Sequence, residues 1–122
     1  MRYVITADEM KYYDNATIKE IGIPSLLLME RAAMEMANAV AERKLVTDKV
    51  LVFAGSGNNG GDALAVGRLL TEKGFAVAFW MPMGTEKVST ETGRQITILK
   101  NMGLPIHDIF PDGEYDIIID GL

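Results

Sequence analysis

The sequence has no cysteine and a single histidine, His107. The first absence excludes disulfides, thiolate-bound metals and thiol chemistry, and it suits a reducing compartment. The second excludes a metal site built on two imidazoles and leaves little room for a His-based nucleophilic triad. Basic charge is also short. Twelve Lys and Arg stand against 17 Asp and Glu, a net charge of −5, so a broad basic surface for nucleic acid or anionic lipid is not available. No apolar run approaches the ~20 residues of a membrane span. The opening MRYVITADEM is acidic and lacks the apolar core of a signal peptide. These absences leave a soluble, acidic chain, expected in the cytoplasm. Its 122 residues, 48% of them hydrophobic, suffice for a buried core, and residues 1–122 are expected to lie in one domain.

What is present reads as alternating helices and strands. Thr6-Ala7-Asp8-Glu9 has capping-box spacing and opens a loose stripe of Met10, Tyr13, Ile18 and Ile21 that Gly22 would stop. Pro24 and Ser25 open a stronger helix running to Lys44, with Leu27, Met34, Ala37 and Ala41 predicted near one face. That helix either only packs the core, or also offers exposed methionines as a self-association surface. Lys49 to Ala54 (KVLVFA) is a buried strand, Gly60 to Lys73 a helix, and Phe75 to Met81 (FAVAFWM) a second strand. A helix follows over Ser89 to Met102, then a short strand or extended link at Pro105-Ile106, and a strand at Tyr115 to Ile119 that ends in Asp120. The succession predicts an α/β fold, a Rossmann-like three-layer α/β/α domain with a mostly parallel sheet. In the order 3-2-1-4 the last strand lies beside the first of these. The sequence stops at Leu122, just past that strand. The domain is therefore expected to be incomplete at its C-terminus, with Ile117, Ile118 and Ile119 partly open and the isolated chain marginally stable or self-associating.

The stretch Gly55-Ser56-Gly57-Asn58-Asn59-Gly60-Gly61-Asp62 joins the first of these strands to its helix. Its glycines allow a tight turn and close approach of a ligand to backbone N–H groups at a helix N-terminus. Gly55, Gly57 and Gly60 match G-x-G-x-x-G, yet a hydride-transfer cofactor site also asks for an acid at the end of the next strand. Trp80-Met81 stands there instead. Asp62, in the first helical turn, would repel a pyrophosphate seated on the amides. Two Asn side chains and Asp62 suit a hard cation or a hydroxyl-rich ligand; otherwise they only cap the helix and build the turn. Asp120 would face Asn59 and Asp62 across the switch point between the first and last of these strands, or serve only as a strand stop.

The combination IGIPSLLLMERAA (Ile21 to Ala33), VLVFAGSGNNGGDALAVGRLL (Val50 to Leu70), GLPI (Gly103 to Ile106) and DIIIDGL (Asp116 to Leu122) resembles the YjeF N-terminal domain family, the NAD(P)H-hydrate (NAD(P)HX) epimerases. The resemblance covers nearly the whole chain. It implies an isomerase that interconverts the R and S forms of hydrated NADH and NADPH (NADHX and NADPHX) in nicotinamide cofactor repair. It also implies a bound potassium ion, a homodimer, and in many bacteria a fused C-terminal ADP-dependent dehydratase domain. Carried over by position, Asn58, Asn59, Gly60, Gly61 and Asp62 match the substrate-binding segment. Asn59 and Asp120 match the potassium ligands, and Asp120 is placed to assist catalysis at the hydrated carbon.

Departures accompany the match. The resemblance implies a Phe-Gly-Thr-Gly-like loop and further binding residues beyond Asp120, which this sequence does not contain, so the fragment alone is expected to be weak or inactive. Ala63 stands where Gly is most common and would add a methyl near the phosphate approach, and Arg31 stands where Asn is frequent. The same domain type also serves in messenger-RNA decapping scaffolds, so the alternative is a non-catalytic dimerisation and nucleotide-ligand-binding scaffold.

Overall fold

Short runs of β-branched and aromatic residues, each bounded by glycine, proline or a charged turn, build a parallel sheet with helices between its strands. The computed structural model describes residues 3–5 and 24–122. The helix expected over Thr6 to Gly22 lies outside the described residues. The strands are β1 (Tyr3–Ile5), β2 (Lys49–Ala54), β3 (Ala76–Trp80), β4 (Ile106–His107) and β5 (Ile117–Gly121). The helices among the described residues are α1 (Ser25–Arg43), α2 (Asn58–Glu72) and α3 (Thr90–Asn101). The five strands among the described residues run parallel in the order β1-β5-β2-β3-β4. The predicted arrangement, with the last strand beside KVLVFA, is therefore what forms. No described helix is long and apolar enough to cross a membrane.

Register decides which side chains meet. Val50 and Val52 pair with Ile117 and Ile119 on one side and with Val77 and Phe79 on the other. Period-two alternation then puts all six on one face, the face that α2 covers. Close packing there depends on Gly67. A Cβ at that position would stand 2.5 Å from Val52 Cγ2 and 2.7 Å from Phe79 Cε1. Arg68, buried beneath α1, donates from Nη2 to Glu30 Oε1 and so ties α2 to α1. Ser89 caps α3, its Oγ accepting from Thr92 N at 3.3 Å, and Gly103 ends the following turn at φ +73°. On the opposite sheet face Phe53 stacks on Trp80 at 4.7 Å, and Phe110 meets the edge of Trp80 at 5.2 Å. The segment from Asp108 to Asp116 crosses that face, as a right-handed return from β4 to β5 requires.

Three expectations are corrected. Ile117 and Ile119 are fully buried, because α2 packs on their face of β5 and β1 pairs along its far edge in the register Tyr3 to Ile117 and Ile5 to Ile119; Ile118 alone stays partly open, as expected. The exposed apolar edge that underlay the expectation of marginal stability is therefore not there. In α1 the buried stripe is Leu28, Met29, Ala32, Ala33, Met36, Ala37 and Val40, while Leu27 and Met34 are 56% and 48% exposed. The pairs 28/29, 32/33 and 36/37 follow the 3.6-residue period with alanine at its centre, letting α1 lie close to α2. Lastly, β5 starts and ends two residues later than expected, so Asp120 sits inside the strand and not after it.

Candidate functional site

Where β2 ends, Gly55-Ser56-Gly57 turns the chain at once into α2. Gly57 is the N-cap, with no side-chain hydrogen bond, and Gly60 N donates to Gly57 O at 3.0 Å. Asn58 and Asn59 are already helical and neither caps the helix, so the capping reading of the Asn pair does not hold. The turn is tight because Gly60 lies against the start of the loop: a Cβ there would be 2.0 Å from the Gly55 carbonyl oxygen. Gly61 lies close to α3, where a Cβ would stand 2.9 Å from Thr92 Oγ1.

Two residues that sequence reasoning missed lock this loop. Thr92 Oγ1 donates to Gly57 O at 2.6 Å, and Ser89 N donates to Ser56 O at 2.8 Å. Thr92 is fully buried. A Ser-x-x-Thr pair at a helix start looks like ordinary capping, and nothing local shows that it also holds a loop more than thirty residues earlier.

The other wall is the end of β5. Gly55 N donates to Gly121 O at 3.0 Å, closing the pairing of β2 with β5. Asn59 Nδ2 donates to Leu122 O at 3.3 Å, and Leu122 N donates to Asp120 Oδ1 at 3.1 Å. Asn59 and Asp120 thus hold the two backbone polar groups of one residue, at the point where strand order reverses. Between the 55–59 loop, Met83 and the Gly121-Leu122 end of β5 lies a cleft of 440 Å³. Asn58 and Asn59 line it. Gly60, Gly61 and Asp62 do not; they are buried beneath it, Asp62 one helical turn below Asn58 and 7% exposed. Asn59 thus lines the crevice, while Asp120, one residue before its Gly121 wall, and Asp62 do not. Ala63 is fully buried and its methyl points at β5, 2.4 Å from where a Gly121 Cβ would be. It does not narrow the cleft.

The donor set here is hard. Asn59 spends its amide NH₂ on Leu122 and keeps its oxygen, while Asp120 keeps its second carboxylate oxygen. Among the described residues no group of three or more His, Cys, Asp or Glu could hold a metal. One carboxylate, one amide oxygen and nearby carbonyls suit a weakly charged, oxygen-seeking cation and not zinc.

Comparison with known proteins gives a consistent picture. The family described as YjeF-related protein N-terminus matches residues 25–122. A protein of Weissella koreensis named NAD(P)H-hydrate epimerase is 40% identical over 123 aligned positions, covering 100% of this chain and 56% of that protein. One of Limosilactobacillus fermentum with the same name is 40% identical over 119 positions, covering 97% and 57%. The crystal structure of yeast ynu0 superposes with a TM-score of 0.60 at 26% identity, over 85% of this chain and 46% of that one. The chain spans about half the length of the curated relatives it matches.

Proposed function

The chain belongs to the YjeF-related protein N-terminus family, and from that premise we propose that it is an NAD(P)H-hydrate epimerase, an isomerase of hydrated NADH and NADPH working in the cytoplasm. The observation that carries this reading is the glycine loop entering α2 beside the end of β5, which sets Asn59 and Asp120 at the switch point of the sheet. Relatives at 34–40% identity bear the epimerase name, which favours catalysis over a scaffold. The N-terminus of α2, at Asn58 and Asn59, lies on the cleft and suits a pyrophosphate. Asp62 does not line the cleft; it stands one helical turn further along α2, buried.

In the hydrated ring a hydroxyl sits on the carbon beside the ring nitrogen. Epimerisation proceeds when the nitrogen lone pair expels that hydroxyl as water, taking one proton, and a water then adds to the opposite face and returns one. No oxidant is needed. The protein holds the ring, supplies and recovers the proton, and keeps one water in place. Asp120 is the carboxylate proposed for the proton, and Asn58 to Asp62 are the segment proposed to bind substrate. Asn59 and Asp120 would hold a potassium ion, which when bound organises phosphate and loop oxygens and is too weak a Lewis acid to do more. A homodimer through the exposed Leu27 and Met34 of α1 completes the proposal. An ADP-dependent dehydratase, on the same chain or a separate one, is the proposed partner activity.

The test is equilibration of one epimer of hydrated NADH, followed by chromatography. Asp120→Asn should slow it by about 10²-fold or more, the usual share of a general acid–base group. Its loss of substrate affinity should be far larger in potassium buffer than in potassium-free buffer. Equal losses in both buffers would remove the ion from the account, and undiminished equilibration would remove Asp120.

A further inference from the structure

A second pocket, of 640 Å³, opens at the C-terminal ends of β3 and β4. Its walls are held by hydrogen bonds to backbone carbonyls. Met81 N donates to His107 O at 2.8 Å, and Trp80 Nε1 donates to Asp108 O at 3.2 Å. Gly84 N donates to Met81 O at 3.0 Å, closing a turn over Pro82-Met83 that Gly84 leaves at φ +83°. Met83 is 70% exposed and lines both this pocket and the glycine cleft. The loop that carries it is pinned to the glycine loop by the Ser89 N to Ser56 O hydrogen bond. Cleft and pocket are therefore two ends of one trough along the C-terminal edge of the sheet, running from β5 to β4.

That trough has the shape of a dinucleotide. In a doubly wound sheet the pyrophosphate sits on the first helix N-terminus, and the adenosine half extends over the strands that follow. Here those strands are β3 and β4. The pocket falls in the ~300–1,000 Å³ range of small-molecule sites, and Met81 and Met83 give it adaptable thioether walls for a purine. The acid missing from the end of β3 is supplied from elsewhere in space: Glu86, in the loop after β3, and Asp108, just past β4, both line the pocket. Against these carboxylates stands the single ammonium of Lys87.

We infer that this pocket takes the adenosine half of the substrate, with Glu86 and Asp108 accepting hydrogen bonds from the ribose hydroxyls. Hydrated NADH is thereby favoured over hydrated NADPH, whose 2′-phosphate would meet an excess of negative charge. The inference rests on the epimerase reading and adds to it a subsite and a preference.

The probes are ADP-ribose, 2′-phospho-ADP-ribose and nicotinamide mononucleotide, titrated calorimetrically against the protein and its Glu86→Lys variant. Glu86 is exposed on a loop, and an unchanged melting temperature verifies that the variant folds. The unmodified protein should bind ADP-ribose about fivefold more tightly than the 2′-phosphate, the scale of one exposed charge pair at close range. Glu86→Lys should move that ratio toward the phosphate by about tenfold or more, since one charge is reversed. Affinity for the mononucleotide, which lacks the adenosine half, should not move. A ratio unaffected by Glu86→Lys, or tighter binding of the 2′-phosphate by the unmodified protein, overturns the subsite while hydrated NADH is still epimerised. In a chain extended to the length of its relatives, failure both to bind ADP-ribose and to epimerise hydrated NADH overturns the epimerase reading, and the subsite with it.

Discussion

Gly60→Ala should destabilise this protein far more than Gly57→Ala, although both glycines belong to the same G-x-G-x-x-G run. At Gly60 the added methyl would stand 2.0 Å from the Gly55 carbonyl oxygen and 2.9 Å from its carbon, whereas real Cβ atoms essentially never come within 3.0 Å. Both obstacles are backbone, so no side chain can rotate away. The first turn of α2 must move off the end of β2 by roughly an ångström, in an interior packed too densely to absorb it. Overpacking of this kind costs about 1–3 kcal/mol, and more when backbone must shift. The better helix propensity of alanine returns up to about 1 kcal/mol. A net loss of about 2–3 kcal/mol corresponds to a melting temperature lower by about 6–15 °C in a domain of this size. At Gly57 nothing lies within 4 Å of the added methyl, and the backbone is already at φ −82°. That substitution should stay within about 0.5 kcal/mol. Thermal unfolding followed by circular dichroism reads both. Equal shifts in the two variants, or none at Gly60, would refute the claim that helix–strand contact, and not general loop flexibility, is what the third glycine serves.

Three further outcomes are expected. Leu27→Glu combined with Met34→Glu should convert a dimer to a monomer in sedimentation velocity without lowering the melting temperature, because both side chains are half or more exposed or nearly so; Met29→Glu should instead unfold the chain, since Met29 is buried and its sulfur accepts from Gln95 Nε2 at 3.8 Å. Burial of the Tyr115 phenol, helped by the nearby Asp112 charge, raises its pKa above the ordinary 10.0. A raised pKa in the folded state means that stability is fully present below the unfolded value and is lost as pH rises through the folded one. Melting temperatures should therefore fall above about pH 10, and less steeply in Tyr115→Phe.

The elements that local pattern alone determines were all legible: KVLVFA and FAVAFWM as buried strands, the helix from Ser25, the helix capped by Ser89 and the glycine turn between Ala54 and Asn58. Each depends on periodicity or turn chemistry within about a dozen residues. Even the neighbour of β2 followed from sequence, because right-handed crossovers leave few topologies for such a succession. Tertiary structure decided the rest. β1 is three residues long, too short to show a period, yet it pairs along the far edge of β5 beside Ile117 and Ile119. Which face of α1 turned inward depended on where α2 lay, and Leu28 and Met29 were chosen over Leu27 and Met34. The candidate site divides in the same way. The Asn58 to Asp62 segment and Asp120 could be named from the chain, but whether each lined the cleft could not. A helical turn separates Asp62 from Asn58 in depth, and the methyl of Ala63 met Gly121 and not a ligand. Glu86 and Asp108, more than twenty residues apart in sequence, share a pocket only because β3 and β4 are parallel neighbours whose C-terminal ends meet at one edge. Sequence pattern records the period of each element; which side chains share a volume is set by how those elements pack.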